Sequence, residues 1–144
     1  MTVKQISIFL ENKAGKLTEV AAALSEGGVN LRAMSLAEAQ EFGIVRVIVD
    51  DYEKAKEVLK EAGLVYSVKR VLAIELEDEA GSLTKVLKAL SDKDVNLEYM
   101  YAFTTTVQGK AQLILKTSDR EAAVNALTES GVQMLGQEDL KIEE

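Results

Sequence analysis

The stretch Asn12-Lys13-Ala14-Gly15-Lys16-Leu17-Thr18 returns 66 positions later as Asp78-Glu79-Ala80-Gly81-Ser82-Leu83-Thr84. The likeness extends beyond it. Between residues 14–36 and 80–102, 12 of 23 positions are identical: Ala14, Gly15, Leu17, Thr18, Val20, Ala23, Leu24, Ser25, Val29, Asn30, Leu31 and Met34 with their partners. Composition alone supplies only a couple of matches, so the chain is an internal duplication and its fold must be built twice within 144 residues. Past Thr117 the offset becomes 68, as Gly63 and Gly131 show.

Each copy places the repeated stretch at the same junction. An alternating strand ends just before it (Ile6, Ile8, Leu10; Leu72, Ile74, Leu76). A helical period starts inside it (Leu17, Val20, Ala21, Leu24; Leu83, Val86, Leu87, Leu90). The pattern predicts a strand over 3–10, a helix from about 14 to 26 closed by Gly27-Gly28, and an extended segment over 31–40. Glu41-Phe42-Gly43 turns the chain into a third strand, 44–49, rich in the β-branched residues that suit a pleated surface. Asp50-Asp51 offers an N-cap to a helix carrying Ala55, Val58, Leu59 and Ala62, with Gly63 past its end. Residues 64–70 make a fourth strand that runs almost without a linker into the second copy.

With right-handed crossovers, this order predicts an α+β protein of two ferredoxin-like βαββαβ units. Each is a four-stranded antiparallel sheet with its helices on one face; the first occupies residues 1–70 and the second 71–144. Such a fold hosts many functions and fixes none.

Composition narrows the choice. The chain has no cysteine and no histidine, which removes disulfides, thiolate metal sites, a cysteine nucleophile and the commonest general base. No activated nucleophile motif is visible, so no enzymatic activity is expected. Glu75, Glu77, Asp78 and Glu79 split between one strand face and the turn. They read as a solvated edge rather than a metal site, as does the tail 138–144. No cofactor is implied. A net charge of −7 and a pI near 4.8 disfavour nucleic acid and anionic membrane surfaces. Neither a signal peptide nor an apolar run long enough to span a bilayer is present, and a cytosolic protein is expected.

An Asn or Asp shortly before a glycine, Leu two residues after it, an amphipathic helix, then Val29-Asn30-Leu31 or Val95-Asn96-Leu97 entering the next strand: this pattern resembles the ACT domain family of small-molecule-binding regulatory modules. The resemblance covers nearly the whole chain, which looks like the free-standing tandem ACT proteins. It departs from the family where Ala14 and Ala80 replace a frequent proline, leaving the loop less rigid without removing its donors.

The resemblance implies a free amino acid held where two ACT units meet, gripped by the loop of one and the second strand of its neighbour. The ligand-binding residues so assigned are Asn12, Lys13, Ala14, Gly15, Lys16 and Leu17 with Asn30 and Leu31, and Asp78, Glu79, Ala80, Gly81, Ser82 and Leu83 with Asn96 and Leu97. A helix N-terminus suits a carboxylate, and Asn12 or Asp78 suits an ammonium group. The same residues have plainer roles. Asn12 and Asp78 can cap their helices, Gly15 and Gly81 can serve the turn alone, and Asn30 and Asn96 can organise the turn before the strand. Leu17, Leu24, Leu83 and Leu90 fit the core, and Met34 and Met100 read as core filler.

On the second strand, Ala33, Ser35 and Ala37 correspond to Tyr99, Tyr101 and Phe103. Either the two pockets differ in size, or the aromatics knit the sheets and one pocket stays open. The expected function is that of a non-catalytic regulator whose amino acid ligand changes the arrangement of domains or subunits for an unidentified enzyme to read. Self-association as a homodimer is expected, since bare edge strands are usually covered. The alternative is an ACT-fold interaction scaffold that has lost its ligand.

Overall fold

A computed structural model describes residues 2–39, 41–104 and 107–140. Residue 40 of the expected second strand and residues 141–144 of the acidic tail lie outside the described residues. The chain divides into two compact units, one of Lys4–Lys69 with Leu140 and the other of Thr2, Val3 and Arg70–Asp139.

The first unit runs β1 (Val3–Glu11), α1 (Lys16–Glu26), β2 (Leu31–Ala39), β3 (Phe42–Val49), α2 (Tyr52–Glu61) and the opening of β4 (Val65–Glu77). β3 is central: it pairs antiparallel with β1, Ile6 opposite Val47 and Ile8 opposite Val45, and with β2, Met34 opposite Val47. β1 also pairs with β4. The strand period sends Ile6, Ile8, Val45, Val47 and Val49 to one face, where Val20 and Leu24 of α1 and Ala55 and Leu59 of α2 complete a buried cluster. Both helices therefore cover the same face. Each fully buried Leu or Ile contributes about 1.5–3 kcal/mol relative to exposure.

The second unit repeats this with the remainder of β4, α3 (Ser82–Asp92), β5 (Leu97–Phe103), β6 (Lys110–Thr117), α4 (Arg120–Glu129) and β7 (Gln133–Leu135), followed by a 3-10 turn at Gln137–Leu140. Its four strands are antiparallel in the order β5-β6-β4-β7, with Ile74 opposite Leu113 and Met134, and Met100 opposite Leu115. Leu72, Ile74, Val86, Leu90, Leu115, Ala123 and Leu127 form its core.

Three expectations are corrected. The two separate strands predicted on either side of residue 70 are one 13-residue strand, β4, while the two units still divide between Lys69 and Arg70. No glycine or proline stands between Val65 and Glu77 to interrupt it, and among the described residues seven strands stand where eight were expected. β3 begins at Phe42, because Phe42 and Gly43 are paired on both sides rather than turning. Met34, expected in the core, is 46% exposed, whereas Met100 packs against the second core.

Candidate functional site

The repeated loop is built identically in both units. Its first N–H ties it to the far end of the neighbouring hairpin: Asn12 N–H donates to the Glu41 carbonyl at 2.8 Å and Asp78 N–H to that of Gly109 at 2.9 Å. Two tight bonds then fold it. Lys13 N–H donates to the Glu11 carbonyl and Glu79 N–H to that of Glu77, both at 2.9 Å; Lys16 and Ser82 donate to the Lys13 and Glu79 carbonyls at 3.2 and 3.3 Å.

That fold delivers the chain to the N-cap in a left-handed conformation, with Gly15 at φ +88° and Gly81 at φ +93°. Only glycine takes this conformation without strain. The helix ladder starts with Glu19 N–H to the Gly15 carbonyl and Lys85 N–H to that of Gly81, so the N–H groups before those residues lie ahead of it. A glycine cap supplies no side-chain acceptor. α2 and α4 contrast: Asp51 Oδ1 accepts from Lys54 N–H at 3.1 Å and Asp119 Oδ1 from Ala122 N–H at 3.0 Å. The N-cap position itself falls on Gly15 and Gly81, three residues past Asn12 and Asp78.

Beside each glycine-started helix lies a groove. In the second unit it encloses about 470 Å³ between the end of β4 (Glu75–Glu77), the loop Glu79–Ser82, Lys85 and Val86 of α3, Lys110, and the turn Gly131–Gln133. The first unit's counterpart, about 320 Å³, is lined by Phe9, Leu10, Glu11, Lys16, Glu19, Phe42 and Gly63–Val65. A Cβ built on Gly15 or Gly81 meets nothing within 4 Å, so the space over each helix start is open.

The charges around the grooves differ. In the first unit Lys13 pairs with Glu11 at 2.9 Å and Lys16 with Glu19 at 3.7 Å. The hydrogen bond from Lys13, reinforced by the charges of Lys13 and Lys16, holds the Glu11 carboxyl below its ordinary pKa, and the same hydrogen bond raises the Lys13 ammonium. In the second unit Glu77 pairs instead with Lys110 of β6, whose ammonium is raised by that bond, and Glu75 accepts from Gln112 Nε2 at 3.0 Å.

Of the expected ligand-binding residues, the second groove brings together Glu79, Ala80, Gly81 and Ser82, and the first groove holds Lys16. Asn12, Lys13, Ala14 and Gly15 form the exposed loop, with Leu17 partly buried against the core; Asp78 is exposed at the loop start and Leu83 is 38% exposed.

Asn30 and Leu31 belong to another depression, of about 310 Å³, at the C-terminal end of α1. An 11-residue helix, about 16 Å long, separates it from Gly15. There Asn30 exchanges backbone bonds with Asp50, donating to Oδ1 at 3.0 Å and accepting from its N–H at 3.1 Å. Asn96, next to Leu97, does the same with Ser118, at 3.2 and 2.9 Å. Both asparagines organise the strand entry.

Tyr99 and Tyr101 stack with ring centroids 6.4 Å apart, and Phe103 is buried. They alternate with Met100 and so face away from the core under α3 and α4. Lys85, Lys110 and Gln133 line the second groove and were not expected there. For Lys85 the legible signal was the charge reversal from Glu19 at the repeat offset. Among the described residues no cluster of three acidic side chains is placed to hold a metal, and no helix is long and apolar enough to cross a membrane.

Duplicated βαββαβ units, each with a glycine-started helix beside a groove, define the class of paired ferredoxin-like modules. Within that class the chain belongs to the ACT domain pair family, whose model matches residues 1–143. ACT domains are regulatory rather than catalytic modules.

Among solved structures, protein BT0572 from Bacteroides thetaiotaomicron is 39% identical over 97% of this chain and 96% of its own, with a TM-score of 0.90. The ligand-free regulatory subunit of aspartate kinase from Thermus thermophilus is 17% identical, covering 88% of this chain and 91% of its own, with a TM-score of 0.61. Clostridium acetobutylicum aspartate kinase is 16% identical at a TM-score of 0.54, over 88% of this chain and 32% of its own. The two kinase likenesses show a shared fold. No curated protein matches the chain.

Proposed function

We propose that the chain is a non-catalytic regulatory protein that binds a free amino acid at the repeated loop and changes its arrangement in response. The observation that carries this reading is the contrast among helix starts: Asp51 and Asp119 close α2 and α4, while Gly15 and Gly81 leave α1 and α3 open to a carboxylate beside a groove. The regulatory subunit of aspartate kinase, which shares the fold, supports the same role. A second copy of the chain completes the site and makes the protein a homodimer, and ligand shifts the population between two arrangements that a separate enzyme reads.

Thermal unfolding in the presence of each standard amino acid tests this. A ligand at a hundred times its dissociation constant adds about 2.7 kcal/mol, on the order of 10 °C for a chain of this size. A flat response to all of them overturns the sensor in favour of an interaction scaffold, and sedimentation as a monomer at high concentration removes the homodimer.

A further inference from the structure

We infer that the two grooves have diverged in charge, and that the second unit's groove alone takes an amino acid, as a zwitterion held between Glu79 and Lys85. This rests on the function proposed above. Three substitutions at the repeat offset carry it: Lys13 becomes Glu79, Lys16 becomes Ser82 and Glu19 becomes Lys85.

In the first unit every charge in this set is consumed locally, Lys13 by Glu11 and Lys16 by Glu19. In the second, Ser82 removes the helix partner that the residue at 85 would meet. Lys110 occupies Glu77, the counterpart of Glu11. Among the described residues, the Glu79 carboxylate and the Lys85 ammonium are left without an ion-pair partner, and both line one groove. A zwitterion carries the complement of that pair, its ammonium for Glu79 and its carboxylate for Lys85, with the open start of α3 adding N–H donors to the carboxylate.

The walls differ in the same sense. Phe9 and Val65 stand in the first groove where Glu75 and Gln133 stand in the second, and Phe9, Phe42 and Val65 are 42%, 60% and 67% exposed. A charged ligand entering the first groove would lose hydration against apolar side chains and gain no free charge.

The test uses the full chain labelled with nitrogen-15 and an equimolar mixture of the standard L-amino acids, followed through backbone amide shifts. The Gly81, Ser82 and Lys85 amides are expected to move with saturation, and those of Gly15, Lys16 and Glu19 to stay. Lys85→Gln and Glu79→Gln should each raise the half-saturation concentration about tenfold. Glu19→Gln should leave it unchanged. All three positions are exposed, and the unperturbed remainder of each spectrum verifies the fold. Equal movement at both loops, movement at the Gly15 loop alone, or unaltered saturation in Lys85→Gln overturns the inference while leaving the amino acid reading intact. No movement at either loop overturns both.

Discussion

Replacing Gly81 by alanine isolates the cost of the left-handed helix start. At φ +93° an L side chain is strained whatever the space around it, and a Cβ there meets no atom within 4 Å, so no packing term enters. The expected destabilisation is the backbone term alone, about 1–2 kcal/mol. For a chain of this length that is about 3–7 °C in Tm. Asparagine tolerates this conformation better than alanine, so Gly81→Asn should cost less than Gly81→Ala. Gly27 supplies the opposite case. Its φ of −78° is ordinary, but a Cβ would fall 2.4 Å from Val58 Cγ2. Crowding there costs about 1–3 kcal/mol, and the larger asparagine should cost more than alanine. Urea unfolding of the four variants reads the result, with the midpoint lowered and the slope unchanged. If Asn at 81 costs as much as Ala, or the order at 27 matches that at 81, the conformational explanation of the repeated glycine is refuted.

Asp51→Ala and Asp119→Ala should each cost about 1 kcal/mol by calorimetry, through loss of the bonds from Lys54 N–H and Ala122 N–H; no loss would mean that water replaces the caps at no cost. The Glu11 carboxyl, held low by Lys13, stabilises the first loop above its unfolded-state pKa and loses that contribution as pH falls through the folded value. Lys13, held high, contributes below its unfolded value and is lost as pH rises through the folded one. In an NMR titration Lys13→Ala should move the Glu11 midpoint upward, and an unchanged midpoint would remove the pair from the account.

Much of the fold was legible because its signals are local and repeated. The alternation of Ile6, Ile8 and Leu10 and the spacing of Val20 and Leu24 report faces that a sheet and a helix impose on nearby residues, and these faces are buried as expected. The merged strand was harder to see. Duplication invites two strands, one on each side of residue 70, whereas nothing in the local chemistry of Val65–Glu77 ends a strand. The glycine N-cap was illegible for a related reason. Asn12 and Asp78 are good capping types, but the loop must close on Glu41 and Gly109 first, and those bonds join residues distant in sequence. Lys110 and Gln133 reach the second groove only through the pairing of β4 with β6 and β7, which no short-range pattern encodes.

The two classes of helix start bear directly on the proposed function. An aspartate at the cap position occupies the same unpaired N–H groups that a ligand carboxylate would need, so a helix closed in that way is stabilised and unavailable to a ligand. The chain applies this to α2 and α4 and withholds it from α1 and α3 in both units, accepting a loop that only glycine fits without strain. Local stability alone would favour a capping side chain at all four starts. Its absence at the two starts beside grooves follows if an exchangeable carboxylate takes its place. The surroundings of the two starts differ: Lys16 and Glu19 neutralise each other in the first unit, whereas Ser82 offers no such partner to Lys85, which among the described residues has no ion pair beside the second.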